Sequence, residues 1–467
     1  MNGLLPWATY VLVGYFAVLN SGYVLMSVFT LFAVVRYRYV LDAYNPEEAL
    51  MAESLPSITL IAPSYNEEST CIESVRAFLN LDYPNVEVLV VNDGSTDATL
   101  ERLRSAFDLQ PAPRPPRSGL PTKPVRQVYR SRIHPDLWVI DKENGGKADA
   151  LNTGINFCET PLFCAMDADT IVERDGLIRI IRPFLEDTST VAVGGIVRVA
   201  NGCNIESGRI RDVSMPRRLL PKLQVLEYLR AFFFGRLGWD TLSAMIIISG
   251  AFGMFRRETV VDVGGYCTES ITEDLELVLR MHRRLREKSQ EYRIRFIPDP
   301  VAWTEVPSTL RDLGRQRDRW HRGMVGSMID HQRMLLNPRY GRVGLLAYPF
   351  FYFLETFGVV LEFLGYIWFA AALVTGNLSG PIALAFFLLA FALGTALSLS
   401  AVALEELSFH RYESTSDLFQ LLFLTVLDGF GYRQLVVWWR IKGLWSYLRG
   451  DQEWGAIKRA GFTASDA

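Results

Sequence analysis

The sequence predicts an α/β domain built on a doubly wound parallel sheet and set between apolar helices that cross a membrane. Three observations lead there. Between residues 57 and 170, apolar runs that end in polar or acidic residues alternate with helical patterns. Residues 1–35 contain no Asp, Glu, Lys or Arg. Finally, 49% of the residues are hydrophobic and 21% are charged, which implies segregated polar and apolar regions rather than a uniform mixture. At 467 residues the chain is too long for one compact core.

From the N-terminus, Pro6 to Val35 is nearly continuous apolar sequence, and about 20 such residues span a bilayer. A signal peptide is the poorer reading, because a basic leader and a small-residue cleavage site are both missing. Arg36 and Arg38 put the C-terminal end of this helix, residues 1–40, on the cytoplasmic side. Residues 55–340 form a soluble domain. Its strand SITLIAPSYNEE (57–68) runs into Asn66 and Glu67, VEVLVVNDGST (86–96) runs into Asp93, and PLFCAMDADT (161–170) runs into Asp167 and Asp169. Helical patterns cover 68–80 and 96–107. In a parallel sheet of this kind, ligands sit beyond the carboxyl ends of the strands, so the acidic groups meet at one edge. Each has a plainer reading: NDG is a common turn, and an Asp pair can open a helix. Chance placement on three strands is less economical. Two carboxylates one residue apart suit a hard divalent cation, with a diphosphate as the natural bridged ligand.

Between these strands, PAPRPPRSGLPTKP (111–124) reads as a mobile surface loop without chemistry. KENGGKADALNTG (142–154) places Lys147 after two glycines at a helix start. Ala148 follows the lysine where a Walker loop needs Ser or Thr, so the ATPase reading is rejected, while a nucleotide contact from Lys147 stays open. LLPKLQVLEYLRAFFFGRLGW (219–239) reads as an interfacial helix, with a core helix as its rival. SITED (270–274) opens another helix. Ser270 and Glu273 match a capping box, which is by itself a complete structural account of the acidic cluster.

GRQRDRWHRG (314–323) packs Arg315, Arg317, Arg319 and Arg322 around Trp320. Its structural reading is an amphipathic interfacial helix with snorkelling arginines. Residues 341–467 form the C-terminal membrane region and a short cytosolic tail. Segments 344–374 and 381–404 are apolar, and the first half of 344–374 lies along the interface. Segment 417–439 is broken by DGFGYR and precedes the basic, aromatic WWRIKGLWSYLRG. If both of its ends are cytoplasmic, it re-enters or crosses twice.

Net charge is −3 with no basic domain, which argues against nucleic acid as a partner. Five cysteines without a CxxC pair exclude a disulfide framework and a zinc site, and five scattered histidines argue against a His-based metal centre.

Asp93 in VNDGS, Asp167 and Asp169 in DAD, Asp274 in TED, and Gln316, Arg317, Arg319 and Trp320 in QRDRW occur in that order. The series resembles the membrane-integrated processive family 2 glycosyltransferases, which include cellulose, hyaluronan, chitin and poly-N-acetylglucosamine synthases. Each motif alone is weak, but four in order over residues 55–340 are specific. The resemblance implies an α/β GT-A (Rossmann-like) domain between transmembrane helices and inverting transfer from a UDP-sugar. On this resemblance Asp93 and Asp167 contact the nucleotide, joined by Lys147 and Glu67, with Tyr65 near the base. Asp169 ligates Mg²⁺ or Mn²⁺, and Asp274 is the catalytic base. Gln316, Arg317, Arg319 and Glu273 serve the diphosphate and acceptor side, and Trp320 stacks on the acceptor sugar. Ser249 and Gly250 in SGAFGMF line the sugar pocket. The chemistry agrees: a carboxylate can take the acceptor hydroxyl's proton, guanidinium groups and a metal neutralise a departing diphosphate, and an indole gives a sugar an apolar face.

The expected partners are a UDP-sugar donor, a growing glycan or lipid acceptor, membrane lipids and accessory secretion subunits. The leading function is synthesis of a β-linked polysaccharide and its passage across the cell membrane. N-acetylglucosamine leads as the transferred sugar, with glucose behind it. One alternative is a single transfer to a membrane lipid; another is an inactive sensor or assembly partner, against which the intact acidic set argues. The chain departs from several relatives in offering one N-terminal span, and the short sequence after about residue 440 implies no appended cyclic-nucleotide-binding domain.

Overall fold

The computed structural model describes residues 4–42, 55–168, 170–206, 209–376, 379–412 and 414–451. The chain divides into two compact units. One comprises residues 39–213 and 246–305, and the other residues 1–38, 214–245 and 306–458.

The first unit is organised by a ten-stranded sheet. Its strands are β1 (Ile58–Ser64), β2 (Val86–Asn92), β3 (Leu109–Pro111), β4 (Val125–Ser131), β5 (Leu137–Lys142), β6 (Leu162–Met166), β7 (Ile171–Val172) and β8 (Thr190–Val199), followed, after a separate hairpin of β9 (Asn204–Glu206) and β10 (Arg209–Asp212), by β11 (Phe252–Arg256) and β12 (Arg293–Thr304). The spatial order is β3-β4-β5-β2-β1-β6-β11-β8-β12-β7. β1 pairs in parallel with β2 on one side and β6 on the other, Ile58 opposing both Val86 and Leu162. The chain order reverses there, and this is where doubly wound sheets open a ligand crevice. Strands β1, β2 and β6 are buried almost throughout, which accounts for their unbroken apolar runs. The helix Lys147–Phe157 packs on β1 and β2, and every residue from Ala148 to Phe157 is buried.

The sheet is mixed rather than wholly parallel. β5, β2, β1 and β6 are parallel, but β11 runs antiparallel between β6 and β8, and β4 runs antiparallel to β5. The link from β4 to β5 is a short turn, and a parallel pair needs a crossover of about a dozen residues or more.

The expected mobile loop at 111–124 is instead tied down. The Arg114 guanidinium is buried and makes a two-pronged ion pair with Glu87 of β2 at 2.6 and 2.8 Å; its Nε donates to the Phe157 carbonyl at 3.0 Å. It also lies over the Trp138 ring, 4.6 Å from the centroid. Asn156 closes the loop from below, accepting from Leu120 N and donating to Leu120 O, both at 2.9 Å.

The second unit is helical. Among the described residues three of its helices are long and apolar enough to cross a membrane: Thr9–Tyr39, Gly380–Ser408 and Thr415–Leu448. A fourth candidate is Val343–Thr356 with Val359–Val374, a pair bent by 40°. Phe16, Tyr366, Phe369 and Phe386 form an aromatic core between these helices. The helix Leu219–Phe232 buries Leu223, Val225, Leu226 and Leu229 and packs on the helices Leu393–Ser408 and Thr415–Leu427. Thr415–Leu448 leaves helical geometry at Phe430 and Gly431, within the DGFGYR interruption. Its C-terminal half, Arg433–Leu448, lies along the helix Leu310–Asp330; Ser446 bonds Asp318 at 3.2 Å and Arg322 bonds the Asp451 carbonyl at 2.9 Å.

Candidate active site

The ends of β1, β2, β5 and β6 are stitched together by side chains. After β1, Asn66 takes a positive φ of 55° and its Oδ1 accepts from Thr96 N at 2.8 Å, joining the β1 and β2 loops. Tyr65 beside it is 49% exposed, available to a planar ligand. Glu67 faces the following helix, where its carboxylate accepts from the Thr70 hydroxyl at 2.7 Å.

Asp93 follows β2 directly and is buried. It accepts from Lys142 Nζ at 2.7 Å, Gly145 N at 3.0 Å, Gly146 N at 2.8 Å and Asn144 Nδ2 at 3.3 Å. A carboxylate with this many donors is fully engaged, so Asp93 shapes the glycine loop that presents Lys147. Lys142 is itself completely buried and has a second partner in Asp149 at 2.6 Å. Gly94 is required at the turn: its φ is +66°, and a Cβ there would stand 2.7 Å from Asn144 N.

Lys147 opens its helix behind Gly146 and stands among three carboxylates. Its Nζ is 2.6 Å from Asp167, one residue past β6, and 3.0 Å from Glu273. Burial pulls its pKa down, but Asp167 and Glu273 outweigh burial and hold the ammonium charged. Asp274 is fixed by two main-chain donors, Gly250 N at 2.9 Å and Leu275 N at 2.8 Å. Burial, then the Glu273 carboxylate, pushes its pKa up to about 6, against the opposing pull of Lys147 and the two N–H groups. A carboxylate poised there is ionised at neutral pH and still basic enough to accept a proton.

Lys147, Ser249, Gly250, Tyr266, Glu273 and Asp274 line one cleft with Leu151, Ala165, Ile248 and Phe255. At Gly250 a Cβ would sit 3.0 Å from Lys147 Nζ and 3.3 Å from the Asp274 carboxylate, so a side chain would intrude between base and cation. The capping-box reading of Ser270 and Glu273 is overturned. The helix Glu273–Glu287 starts behind Thr272 with no side-chain cap bond, and Glu273 turns to Lys147. Asp169 lies outside the described residues. Among the described residues no three His, Cys, Asp or Glu side chains converge as a metal cage.

The second unit holds the QRDRW residues on Leu310–Asp330, a helix capped by Thr309, which accepts from Asp312 N at 3.2 Å. Trp320 is 39% exposed. Arg317 is buried, bonds Glu227 at 2.8 Å and Gln316 at 2.6 Å, and lies 4.3 Å from the Trp320 ring centroid. Both of its Nη atoms are engaged within the protein, while its buried Nε has no hydrogen-bond partner among the described residues.

Sequence reasoning missed Lys142, Asn144 and Gly145, which organise Asp93, and Tyr266, whose main chain is held by Asn152 at 2.7 and 2.8 Å. The run KENGG carried a signal for the first three, since a lysine ending a strand needs a buried anion.

The family model "Glycosyl transferase family 2" matches residues 59–261, and "Glycosyl transferase family group 2" matches residues 162–399. The chain is 29% identical over 304 residues to the poly-beta-1,6-N-acetyl-D-glucosamine synthase of Staphylococcus aureus (strain COL) and 27% identical to that of Staphylococcus epidermidis. Each alignment covers 64% of this chain and 63% of the relative, so the match spans less than two thirds of the relatives' length. A mannosyltransferase from Pyrobaculum calidifontis, solved with GDP-Man and Mn2+, aligns with a TM-score of 0.52 at 19% identity, covering 93% of this chain and 99% of that one. The likeness is one of fold, of the GT-A type, and in this chain apolar helices precede and follow the sheet domain in the sequence. With one family model extending over half of its length, the chain belongs to the family 2 glycosyltransferases.

Proposed function

We propose that the protein is an inverting glycosyltransferase that uses UDP-N-acetylglucosamine to extend a β-linked polysaccharide and passes the product across the cell membrane, with its α/β domain cytoplasmic. The observation that carries the reading is Asp274, a carboxylate with a raised pKa, held by Gly250 N and Leu275 N in a cleft beside Lys147. In a single displacement the acceptor hydroxyl gives its proton to Asp274 as its oxygen bonds the anomeric carbon, and the bond to the nucleoside diphosphate breaks. Lys147 supplies positive charge on the cleft wall beside the base. Asp93 holds the glycine loop in place, and Tyr65 offers a ring to the base of the nucleotide. Arg319 meets the diphosphate and Trp320 the acceptor sugar.

Carboxylate oxygens are the donors that hard cations take, so Asp167, one residue past β6, and Asp169, two residues further on in the sequence, have the chemistry to hold Mg²⁺ or Mn²⁺, with Asp169 as the ligand. When bound, the ion would neutralise charge on the departing diphosphate. The four candidate spans and the similarity to poly-beta-1,6-N-acetyl-D-glucosamine synthases support a multi-pass membrane location and the choice of sugar.

The test supplies detergent-purified protein with radiolabelled UDP-N-acetylglucosamine or UDP-glucose, with and without a chelator. Incorporation from the first donor that chelation abolishes supports the reading. Incorporation from UDP-glucose alone, or incorporation indifferent to chelation, contradicts the donor or the metal assignment.

A further inference from the structure

The exposed Trp320 ring rests on a buried support that reaches into the broken membrane helix. The helix Leu219–Phe232 carries Glu227 and Arg230 three residues apart, hence on one face. That face grips both ends of the turn at 428–432. Arg230 forms an ion pair with Asp428, its Nη2 donating to Oδ1 at 3.2 Å, and Asp428 also accepts from Arg433 Nε at 2.7 Å. At the other end the Tyr432 hydroxyl donates to Glu227 Oε2 at 2.6 Å. The same oxygen accepts from Arg317 Nη2 at 2.8 Å. Held by Glu227 and Gln316, the Arg317 guanidinium carbon lies over the indole, 4.3 Å from its centroid. Arg317 is 3% exposed and Trp320 39%, an arrangement of fixed base and open platform.

We propose that Glu227 and Tyr432 are positioning residues that set the orientation of Trp320 through Arg317, and so set the grip on the acceptor sugar. The inference rests on the reading of Trp320 as the acceptor platform. A free tryptophan side chain samples several rotamers, and a sugar that stacks on it must immobilise it. A ring already fixed from below carries less of that cost, so loosening the support weakens acceptor binding and leaves the donor site unchanged.

The experiment measures KM separately for UDP-N-acetylglucosamine and for a short β-linked N-acetylglucosamine oligosaccharide, together with thermal unfolding. It uses the full chain and the variants Glu227→Gln, Tyr432→Phe and Trp320→Ala. Tyr432→Phe removes one hydroxyl and keeps the Arg317–Glu227 pair, so it keeps the test interpretable if Glu227→Gln unfolds. Acceptor KM is expected to rise roughly threefold to tenfold in Tyr432→Phe and more in Glu227→Gln, with donor KM unchanged. Combined with Trp320→Ala, either change should add nothing further, because both act through the same ring. If Trp320→Ala raises acceptor KM while the other two leave it alone, or if the effects add, the positioning inference falls. If Trp320→Ala itself leaves acceptor KM unchanged, the platform reading falls first and the inference with it.

Discussion

The base assignment makes a prediction about pH that can be worked from the geometry around Asp274. An exposed aspartate titrates near about 3.9, so a base of that kind would stay ionised down to about pH 5. Asp274 is pushed up to about 6 by burial and by Glu273. Because the base acts as a carboxylate, activity is present above that value and is lost as pH falls through it. About a tenth of the molecules carry the active form one pH unit below the pKa, so kcat/KM should fall roughly tenfold between pH 7 and pH 5. Glu273→Gln removes a charge that raises the pKa, so the acid limb should move to lower pH. Asp274→Asn keeps the size of the side chain and an oxygen for Gly250 N, and should fold while losing about 10²- to 10⁴-fold in kcat. The assay is initial rate of label transfer from a UDP-sugar across pH 5 to 8, with the unfolding temperature of each variant as control. A flat profile over that range, together with an Asp274→Asn variant retaining more than about a tenth of the rate, would refute the assignment.

Asp93→Ala should lower stability by about 3 kcal/mol and abolish donor binding, because it leaves the Gly145 and Gly146 N–H groups without their acceptor and Lys142 with Asp149 alone; thermal unfolding and donor titration report the two effects. Gly250→Ala should fold yet lose roughly tenfold or more in kcat, since the added methyl meets Lys147 and Asp274; steady-state rates check it. Arg114→Ala should also cost about 3 kcal/mol by stranding Glu87, while donor KM stays unchanged, which separates a structural loop from a catalytic one.

The parts of the fold readable in the sequence were those set by local pattern. β1, β2 and β6 are short apolar runs with both faces buried, and each ends where a polar residue begins, so strand and site edge appear together. β4 was not readable because VRQVYRS lacks a clean in-and-out alternation: Val128 and Tyr129 are buried side by side, and Arg126 and Arg130 break the apolar pattern. The antiparallel placement of β11 depends on where the chain returns after the intervening helices, which no local signal encodes. The loop at 111–124 looked mobile because proline and arginine are usually exposed, yet Arg114 finds Glu87 from a different strand and is buried with it. Glu273 shows the same limit at the site. Ser270 and Glu273 satisfy a local capping rule, but the electrostatic attraction of Lys147, far upstream in the chain, wins the carboxylate. The resemblance assigns Arg317 to the diphosphate, and its burial against Glu227 is a tertiary fact that the local sequence does not encode.

Product size tests the central claim most directly. The full chain in detergent, with membrane lipid and divalent cation present, is given radiolabelled UDP-N-acetylglucosamine, and the product is divided between organic solvent and a sizing column. The account predicts label in a long, lipid-free polymer, absent with Asp274→Asn. Label confined to a solvent-extractable lipid carrying one sugar would contradict it and move the protein to glycolipid synthesis.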